Sequence, residues 1–272
     1  MNRNLMRRAA TGLVFVAVLV GSVWFGPYTF AGLFFIISLL GLGEFYSLAA
    51  KGGVFPARPW GLLAGAGVYI LNVAVFTGLS SSRILTLQLP LFILLFIVEL
   101  FRKKIPSTAN AMFAAGGLFY IVLGLVCFVA TGFISGEYNY QLPLGFLLLL
   151  WFSDTGAYLI GSVFGRHRML ERISPKKTWE GFFGGLLVSL SVAAQLDRFF
   201  PLMNSLQWMG LALVIVIFGT LGDFVESMFK RNVDVKDSGN LLPGHGGLLD
   251  RFDSLLLAGP FGYAFLVLVV FS

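Results

Sequence analysis

The chain has 272 residues, of which 57% are hydrophobic and 12% are charged, and its net charge is +6. A soluble domain has about 25% charged residues, so this composition excludes an ordinary soluble protein. Several apolar runs are long enough to cross a bilayer, which takes about 20 apolar residues in a helix. We therefore expect a polytopic membrane protein. Its single cysteine, Cys127, excludes a disulfide within the chain.

Hydropathy predicts an all-α fold with about nine transmembrane helices. In chain order, the predicted spans are residues 8–25, 28–49, 59–79, 84–101, 109–131, 142–164, 180–198, 206–229 and 254–271. Pro90 interrupts the fourth span. The first span follows basic residues, as in a signal peptide, but its apolar run is long and no small-residue cleavage site follows it. We expect a retained helix.

The basic residues support this count of spans. If the N-terminus is cytoplasmic, every Lys and Arg except Arg83 and Arg198 falls on the cytoplasmic side. The positive-inside rule requires this asymmetry. The odd number of spans then places the C-terminus outside.

A charged helix precedes the last cytoplasmic loop, residues 230–253. In GTLGDFVESMFKR, Asp223, Glu226 and Lys230 recur at spacings of three and four, so they share one helix face with Ser227. A carboxylate inside a membrane span needs a cation, a metal or a water-filled cavity as its partner. An ion pair with Lys230 is the simple alternative to a functional role for Glu226. Asp223 lies a turn deeper, which favours a functional site.

This loop ends in the sequence LLPGHGGLLDRFDS. Its proline and glycines prevent a helix and permit positive φ, a backbone that can wrap a phosphate with N–H groups. Asp250 and Asp253 follow three residues apart and project from one side of the last helix. Two such carboxylates repel unless a cation lies between them, and oxygen ligands suit Mg²⁺. Helix capping explains one of these acids but not both. For His245, a bond to phosphate and a structural hydrogen bond both stay open.

The other long cytoplasmic loop, residues 165–180, follows the sixth span in WFSDTGAYLIGSVFGRHRMLERISPKKTWEG. Asp154 lies well inside that span, where an acid indicates function. Ser174 and Pro175 predict a helix start. That start would place Lys176 and Lys177 beside free backbone N–H groups, which suits a polyphosphate. The alternative is that these lysines only mark the cytoplasmic side.

Together these segments resemble the phosphatidate cytidylyltransferase family, the CDP-diacylglycerol synthases. Residues 227–253 fit the signature S-x2-K-R-x4-K-D-x-G-x2-L-P-x-H-G-G-x2-D-R-x-D, and SDTGAYLIG with ISPKKTWEG is similar to the second hallmark. The resemblance covers the chain from Trp151 onward. It implies transfer of the cytidylyl group of CTP to phosphatidic acid, giving CDP-diacylglycerol and pyrophosphate for phospholipid biosynthesis.

The resemblance also implies roles for individual residues and a division of the chain. The expected catalytic residues are Asp223, Lys230, Asp250 and Asp253, and the expected metal ligands are Asp223, Asp250 and Asp253. The expected substrate-binding residues are Asp154, Lys176, Lys177, Thr178, Glu180, Arg231, Lys236, Asp237, His245, Gly246, Gly247 and Arg251. Residues 1–140 would be transmembrane helices for scaffold and lipid access, and residues 141–272 the catalytic transmembrane region.

We expect one or two Mg²⁺ ions as cofactor, with an additional monovalent ion left open. The expected partners are CTP, phosphatidic acid and the bilayer, with no nucleic acid, and a homodimer is left open. The resemblance implies a multi-pass protein of the cytoplasmic (inner) membrane whose active site faces the cytoplasm.

Three other functions compete with this interpretation. A CTP-dependent lipid kinase of the dolichol kinase type would share the nucleotide but phosphorylate an alcohol. A CDP-alcohol phosphatidyltransferase is disfavoured because its D-G-x2-A-R pattern is absent. A transporter using Asp154 and Asp223 is disfavoured because no pair of broken helices recurs in matching halves.

Overall fold

The computed structural model describes residues 3–103, 107–239 and 246–272, with side chains from residue 11 onward. The helices, in chain order, are α1 (Arg3–Trp24), α2 (Pro27–Lys51), α3 (Arg58–Phe76), α4 (Gln88–Leu100), α5 (Thr108–Gly117), α6 (Gly124–Ala130), α7 (Gln141–Phe164), α8 (Trp179–Leu196), α9 (Ser205–Asn232) and α10 (Leu249–Phe265). Between α7 and α8, strands β1 (Arg168–Leu170) and β2 (Ser174–Thr178) pair antiparallel as a hairpin.

Eight helical stretches within the described residues are long and apolar enough to cross a membrane. They are Pro27–Lys51, Arg58–Phe76, Ser82–Leu100, Thr108–Phe133, Gln141–Phe164, Trp179–Leu196, Ser205–Asn232 and Leu249–Val270. The first predicted span corresponds to α1, and the apolar part with described side chains is Thr11–Trp24. The prediction of an all-α polytopic membrane protein is confirmed. The orientation of its termini stays a prediction.

Some of these stretches change helical geometry along their length. A 3₁₀ helix, Ser82–Leu87, leads into α4. Pro90 therefore lies in the first turn of α4, where its missing N–H leaves no helical hydrogen bond unmade. A π-helical turn, Leu118–Leu123, joins α5 to α6, and such turns are frequent at functional sites. α6 ends in a 3₁₀ turn (Thr131–Phe133), and α10 ends in a π-helical turn (Leu266–Val270).

The last helix begins earlier than its predicted start at residue 254. α10 starts at Leu249, so Asp250 lies in its first turn and Asp253 in the next. Hydropathy finds only the apolar part of a helix, and it misses a first turn whose acids face a polar cavity. The two acids stay on one side of the helix, as the spacing predicts.

Packing joins the two halves of the chain. α10 packs against α9 and α6, α7 packs against α8, and α8 packs against α9. α2 also contacts α10, and one hydrophobic cluster runs from Leu19 to Leu266. The N-terminal helices therefore support the helix that carries Asp250 and Asp253. The functional division at residue 140 stays a prediction.

Candidate active site

The site is built where α9 and α10 nearly touch. A Cβ on Gly222 would lie 2.5 Å from the carbonyl oxygen of Asp253 and 3.2 Å from the Cα of Ser254. Only glycine permits so close an approach of the two backbones. The neighbouring residue, Asp223, therefore lies at the level of Asp253. The approach brings two of the predicted acids together from the two helices.

The hairpin forms the opposite wall of the site and corrects one prediction. Ser174 and Pro175 do not start a helix; they lie in β2, and the helix begins at Trp179. Thr178 is the N-cap, because its extended backbone lets Oγ1 accept the N–H of Gly181 at 3.2 Å. Pro175 is tolerated because a two-stranded hairpin leaves edges on which no N–H is needed. Lys176 and Lys177 are thus strand residues that precede the helix.

Lys177 crosses from the hairpin to α9. Its Nζ lies 2.7 Å from Oδ2 of Asp223, and each of these side chains is less than a third exposed. The ammonium group also lies 4.9 Å from the ring centroid of Phe224, a cation–π contact. Ser227 donates to Oδ1 of Asp223 at 3.1 Å. The two motif segments are therefore joined by a direct ion pair.

A cavity of about 620 Å³ opens between these elements. Its acidic lining comes from three helices, α7, α9 and α10, and its basic lining comes from the hairpin. The acids are Asp154, Asp223, Asp250 and Asp253, and the basic residues are Arg168, Lys176 and Lys177. The carboxyl group of Asp253 interacts electrostatically with Asp223, Lys177 and Asp154. The predicted residues from both loops thus line one polar cavity.

Asp250 is held by protein donors rather than left open. Lys230 Nζ donates to its Oδ1 at 2.7 Å, and the backbone N–H groups of Ser238 and Gly247 donate to its Oδ2 at 3.0 and 2.8 Å. Lys230 also pairs with Glu226, which is fully buried. The alternative interpretation of Glu226, an ion pair with Lys230, is what the structure contains. Asp250 therefore occupies a Glu226–Lys230–Asp250 chain, a different contact from the metal ligation predicted for it.

Other predicted binding residues hold the loops in place. Arg231 donates from Nε to the carbonyl of Ile173 at 3.3 Å and from a terminal nitrogen to the carbonyl of Val235 at 3.2 Å, so it ties the hairpin to the last loop. Glu180 accepts the N–H groups of Arg166 and His167 at the base of the hairpin. The substrate roles expected for Arg231 and Glu180 stay predictions.

The remaining predicted residues lie around the last loop. Lys236, Asp237 and Arg251 are exposed. Gly246 has φ +80°, the positive φ predicted for this loop, and a Cβ there would lie 2.8 Å from Oδ2 of Asp250. Gly247 binds Asp250 through its N–H, as described above. His245 lies outside the described residues.

The oxygen donors of the cavity fit Mg²⁺ only as part of a shared site. Among the described residues, no group of three or more His, Cys, Asp or Glu side chains is arranged to hold a metal ion. Mg²⁺ usually keeps several waters and takes one or two carboxylates together with substrate phosphates. Asp223 and Asp253 supply oxygen donors of that kind beside a further acid, Asp154. These residues fit Mg²⁺ in a site completed by water and substrate, and the ion itself stays a prediction.

Sequence reasoning missed three residues at the site. Arg168 lines the cavity from β1, and its basic type resembled an ordinary cytoplasmic charge. Tyr120 lies in the π-helical turn; its buried hydroxyl has no hydrogen-bond partner among the described residues and interacts electrostatically with Asp253, Glu226 and Asp223. Glu44 of α2 binds the last loop and the start of α10. Its only sequence signal was an acid inside an apolar span.

The fold and the cavity together define a polytopic membrane protein with a polar site lined by acidic and basic side chains. A profile described as "Cytidylyltransferase family" matches residues 6–269. The chain belongs to this family. It is 35% identical over 263 residues to the phosphatidate cytidylyltransferase of Staphylococcus haemolyticus, covering 93% of this chain and 95% of that protein. It is 38% identical over 203 residues to the enzyme of the same name from Staphylococcus aureus, covering 74% and 76% of the two chains.

Proposed function

We propose that this protein transfers the cytidylyl group of CTP to phosphatidic acid, with release of pyrophosphate. The observation that carries the proposal is the bipolar cavity, which has carboxylates on three helices and basic side chains on one hairpin. A nucleoside triphosphate with Mg²⁺ needs both: acids for the ion and cations for the phosphates. Family membership supports the same reaction.

In the proposed reaction, a phosphate oxygen of phosphatidic acid attacks the α-phosphorus of CTP. A new P–O bond forms, and the bond from the α-phosphorus to the bridging oxygen breaks, so pyrophosphate leaves with that electron pair. The attacking phosphate is already anionic, so no strong general base is needed. Phosphoryl and nucleotidyl transfers depend mainly on positioning and charge stabilisation.

The chain's own residues divide these tasks. Arg168, Lys176 and Lys177 would bind the triphosphate from the hairpin, and the pair with Asp223 fixes the direction of Lys177. Asp223 and Asp253 would hold Mg²⁺, which supplies charge neutralisation at the phosphates when bound. Lys230 and Asp250, paired with each other, would keep the last loop in place beside the substrate.

We also propose that the cavity faces the cytoplasm from the cytoplasmic membrane. CTP is cytosolic, and the charge asymmetry of the loops supports a cytoplasmic position for both motif segments. The lipid would then reach the cavity from the inner leaflet. A cysteine introduced at Lys176 should react with a membrane-impermeant maleimide in inside-out vesicles but not in right-side-out vesicles.

Two labelled forms of CTP test the reaction. With purified protein, Mg²⁺ and phosphatidic acid, label at the α-phosphorus should move into lipid, and label at the γ-phosphorus should leave as pyrophosphate. A lipid kinase would instead move the γ-label onto an alcohol acceptor such as diacylglycerol or a polyprenol. Chelation with EDTA should stop transfer, and excess Mg²⁺ should restore it. Transfer of the γ-label to lipid would overturn the proposed function.

A further inference from the structure

Glu44 lies in α2, far along the chain from the motif segments, yet its carboxylate binds the last loop. Oε1 accepts the N–H of Leu248 at 2.9 Å, and Oε2 accepts the N–H of Leu249 at 2.8 Å. The hydroxyl of Ser238 also donates to Oε2, at 3.2 Å. Three donors from the loop and from the start of α10 thus converge on one side chain.

These contacts replace a cap that α10 lacks. Its N-cap residue, Leu248, has no side-chain oxygen and makes no capping bond of its own. The first N–H groups of a helix need partners, and a negative charge is stabilising beside them. The carboxylate of Glu44 supplies both from a neighbouring helix. The start of α10 is therefore capped by a side chain of α2.

Glu44 and Asp250 bind the same part of the loop from two sides. The hydroxyl of Ser238 donates to Glu44, and its N–H donates to Asp250. At the helix start, the N–H of Gly247 binds Asp250, and the next N–H, that of Leu248, binds Glu44. The described ends of the loop, at Ser238 and at Gly247 and Leu248, are thus held between the two carboxylates.

Two glycines let the described ends of the loop approach the carboxylate of Glu44 closely. A Cβ on Gly239 would lie 2.6 Å from Oε1 of Glu44. A Cβ on Gly247 would lie 2.6 Å from Oε2 of Glu44 and 2.0 Å from the hydroxyl oxygen of Ser238. Both glycines belong to the motif of residues 227–253. The close approach of Glu44 explains why these two positions need glycine.

We propose that Glu44 is a positioning residue for cytidylyl transfer: it fixes the last loop and the first turn of α10, and thereby the place of Asp250 and Asp253. The inference rests on the proposed function of the same cavity. A misplacement of about 1 Å can cost a site about 10²-fold in rate. Loss of Glu44 should therefore lower kcat far more than it changes KM for CTP.

Glu99 offers a matched control. It is a buried acid of α4 that accepts the backbone N–H of Ser107, the N-cap of α5, at 3.1 Å and the side-chain amide of Asn110 at 2.8 Å. It thus binds the start of another helix, with Arg102 as an additional partner at 2.9 Å, but that helix carries no residue of the cavity lining. Glu44→Gln and Glu99→Gln each replace one acceptor oxygen by an amide that cannot accept an N–H.

The experiment compares wild type, Glu44→Gln and Glu99→Gln at saturating Mg²⁺. Glu44→Gln should lower kcat about ten- to a hundredfold and change KM for CTP by less than about threefold. This split between kcat and KM indicates loss of an interaction made in the transition state. The rate of tryptic cleavage after Lys236 is measured relative to the rate after Arg172 of the hairpin. This ratio should be higher in Glu44→Gln than in wild type. Glu99→Gln should lower the thermal midpoint but change neither kcat nor this cleavage ratio.

The results distinguish a failure of the proposed function from a failure of the role proposed for Glu44. An inactive wild type would refute the proposed function. An active wild type with a Glu44→Gln variant of normal kcat, or one that falls only in parallel with Glu99→Gln, would overturn the role of Glu44. If Glu44→Gln does not fold, Glu44→Asp keeps the charge and shortens its reach by one methylene. That variant should fold and lose kcat, and a normal kcat there would also overturn the proposal.

Discussion

The ammonium nitrogen of Lys177 lies 2.7 Å from Oδ2 of Asp223 and joins the hairpin to α9 across the cavity. This contact links two motif segments that are separated along the chain by all of α8. The ion pair is partly exposed, so its own contribution to stability is small. Its main effect is to point a cation into the cavity beside the acids.

Lys177→Ala should therefore weaken the use of CTP rather than the fold. Loss of a hydrogen bond to a charged group costs about 1.5–3 kcal/mol, which corresponds to about ten- to a hundredfold in kcat/KM for CTP. Lys51→Ala removes an exposed lysine at the end of α2 and serves as the control. If the two variants behave alike in titrations with CTP, the lysines of the hairpin only mark the cytoplasmic side.

Thr178→Val should destabilise α8 without blocking the cavity. Valine keeps the shape of this buried side chain but removes the oxygen that accepts the N–H of Gly181. Loss of an N-cap costs about 0.5–2 kcal/mol. Thermal unfolding in detergent should show the loss, whereas Thr178→Ser should retain the cap. An unchanged midpoint for Thr178→Val would mean that the helix does not begin at this residue.

The convergence of the two motif segments could be predicted from the sequence, because acids inside apolar spans need partners and the neighbouring cytoplasmic loop supplies two lysines. The helix start predicted at Ser174 is wrong, because Ser-Pro is a local signal and the sequence does not show the pairing of this segment with β1. That pairing makes residues 174–178 a strand, and the helix begins at Trp179.

The partners of Asp250 and the role of Glu44 could not be predicted from the sequence. Spacing places Asp250 and Asp253 on one side of α10, but it does not show that Lys230 and two loop N–H groups already bind Asp250. Glu44 reaches residues of a distant loop, and no local pattern encodes a contact across that separation. Both depend on how α2, α9 and α10 pack.

Lys230→Met should destabilise the fold strongly. Lys230 is buried between Glu226 and Asp250, and its removal leaves two carboxylates without their cation. Breaking a buried pair by removing one partner costs about 3–5 kcal/mol. Lys236→Met, at an exposed position in the same loop, should leave the free energy of unfolding unchanged. Equal stability of the two variants in detergent would contradict the buried ion-pair chain.

Asp253→Asn and Asp250→Asn should have different effects, because Asp253 is proposed to bind the metal and Asp250 holds the last loop. Asp253 is proposed to hold Mg²⁺, so its amide variant should lower kcat about 10²-fold or more and raise the Mg²⁺ concentration needed for half-maximal activity. The fold should persist, because the carboxylate of Asp253 repels those of Asp223 and Asp154.

Asp250→Asn weakens bonds to Lys230 and to the loop, so the thermal midpoint should fall by the equivalent of about 1.5–3 kcal/mol. Asp197→Asn, on a side chain bound to Ser205 outside the cavity, is the control for both. Should Asp250→Asn shift the Mg²⁺ requirement while Asp253→Asn does not, the metal would belong to Asp250, and the assignment drawn from the hydrogen bonds would be reversed.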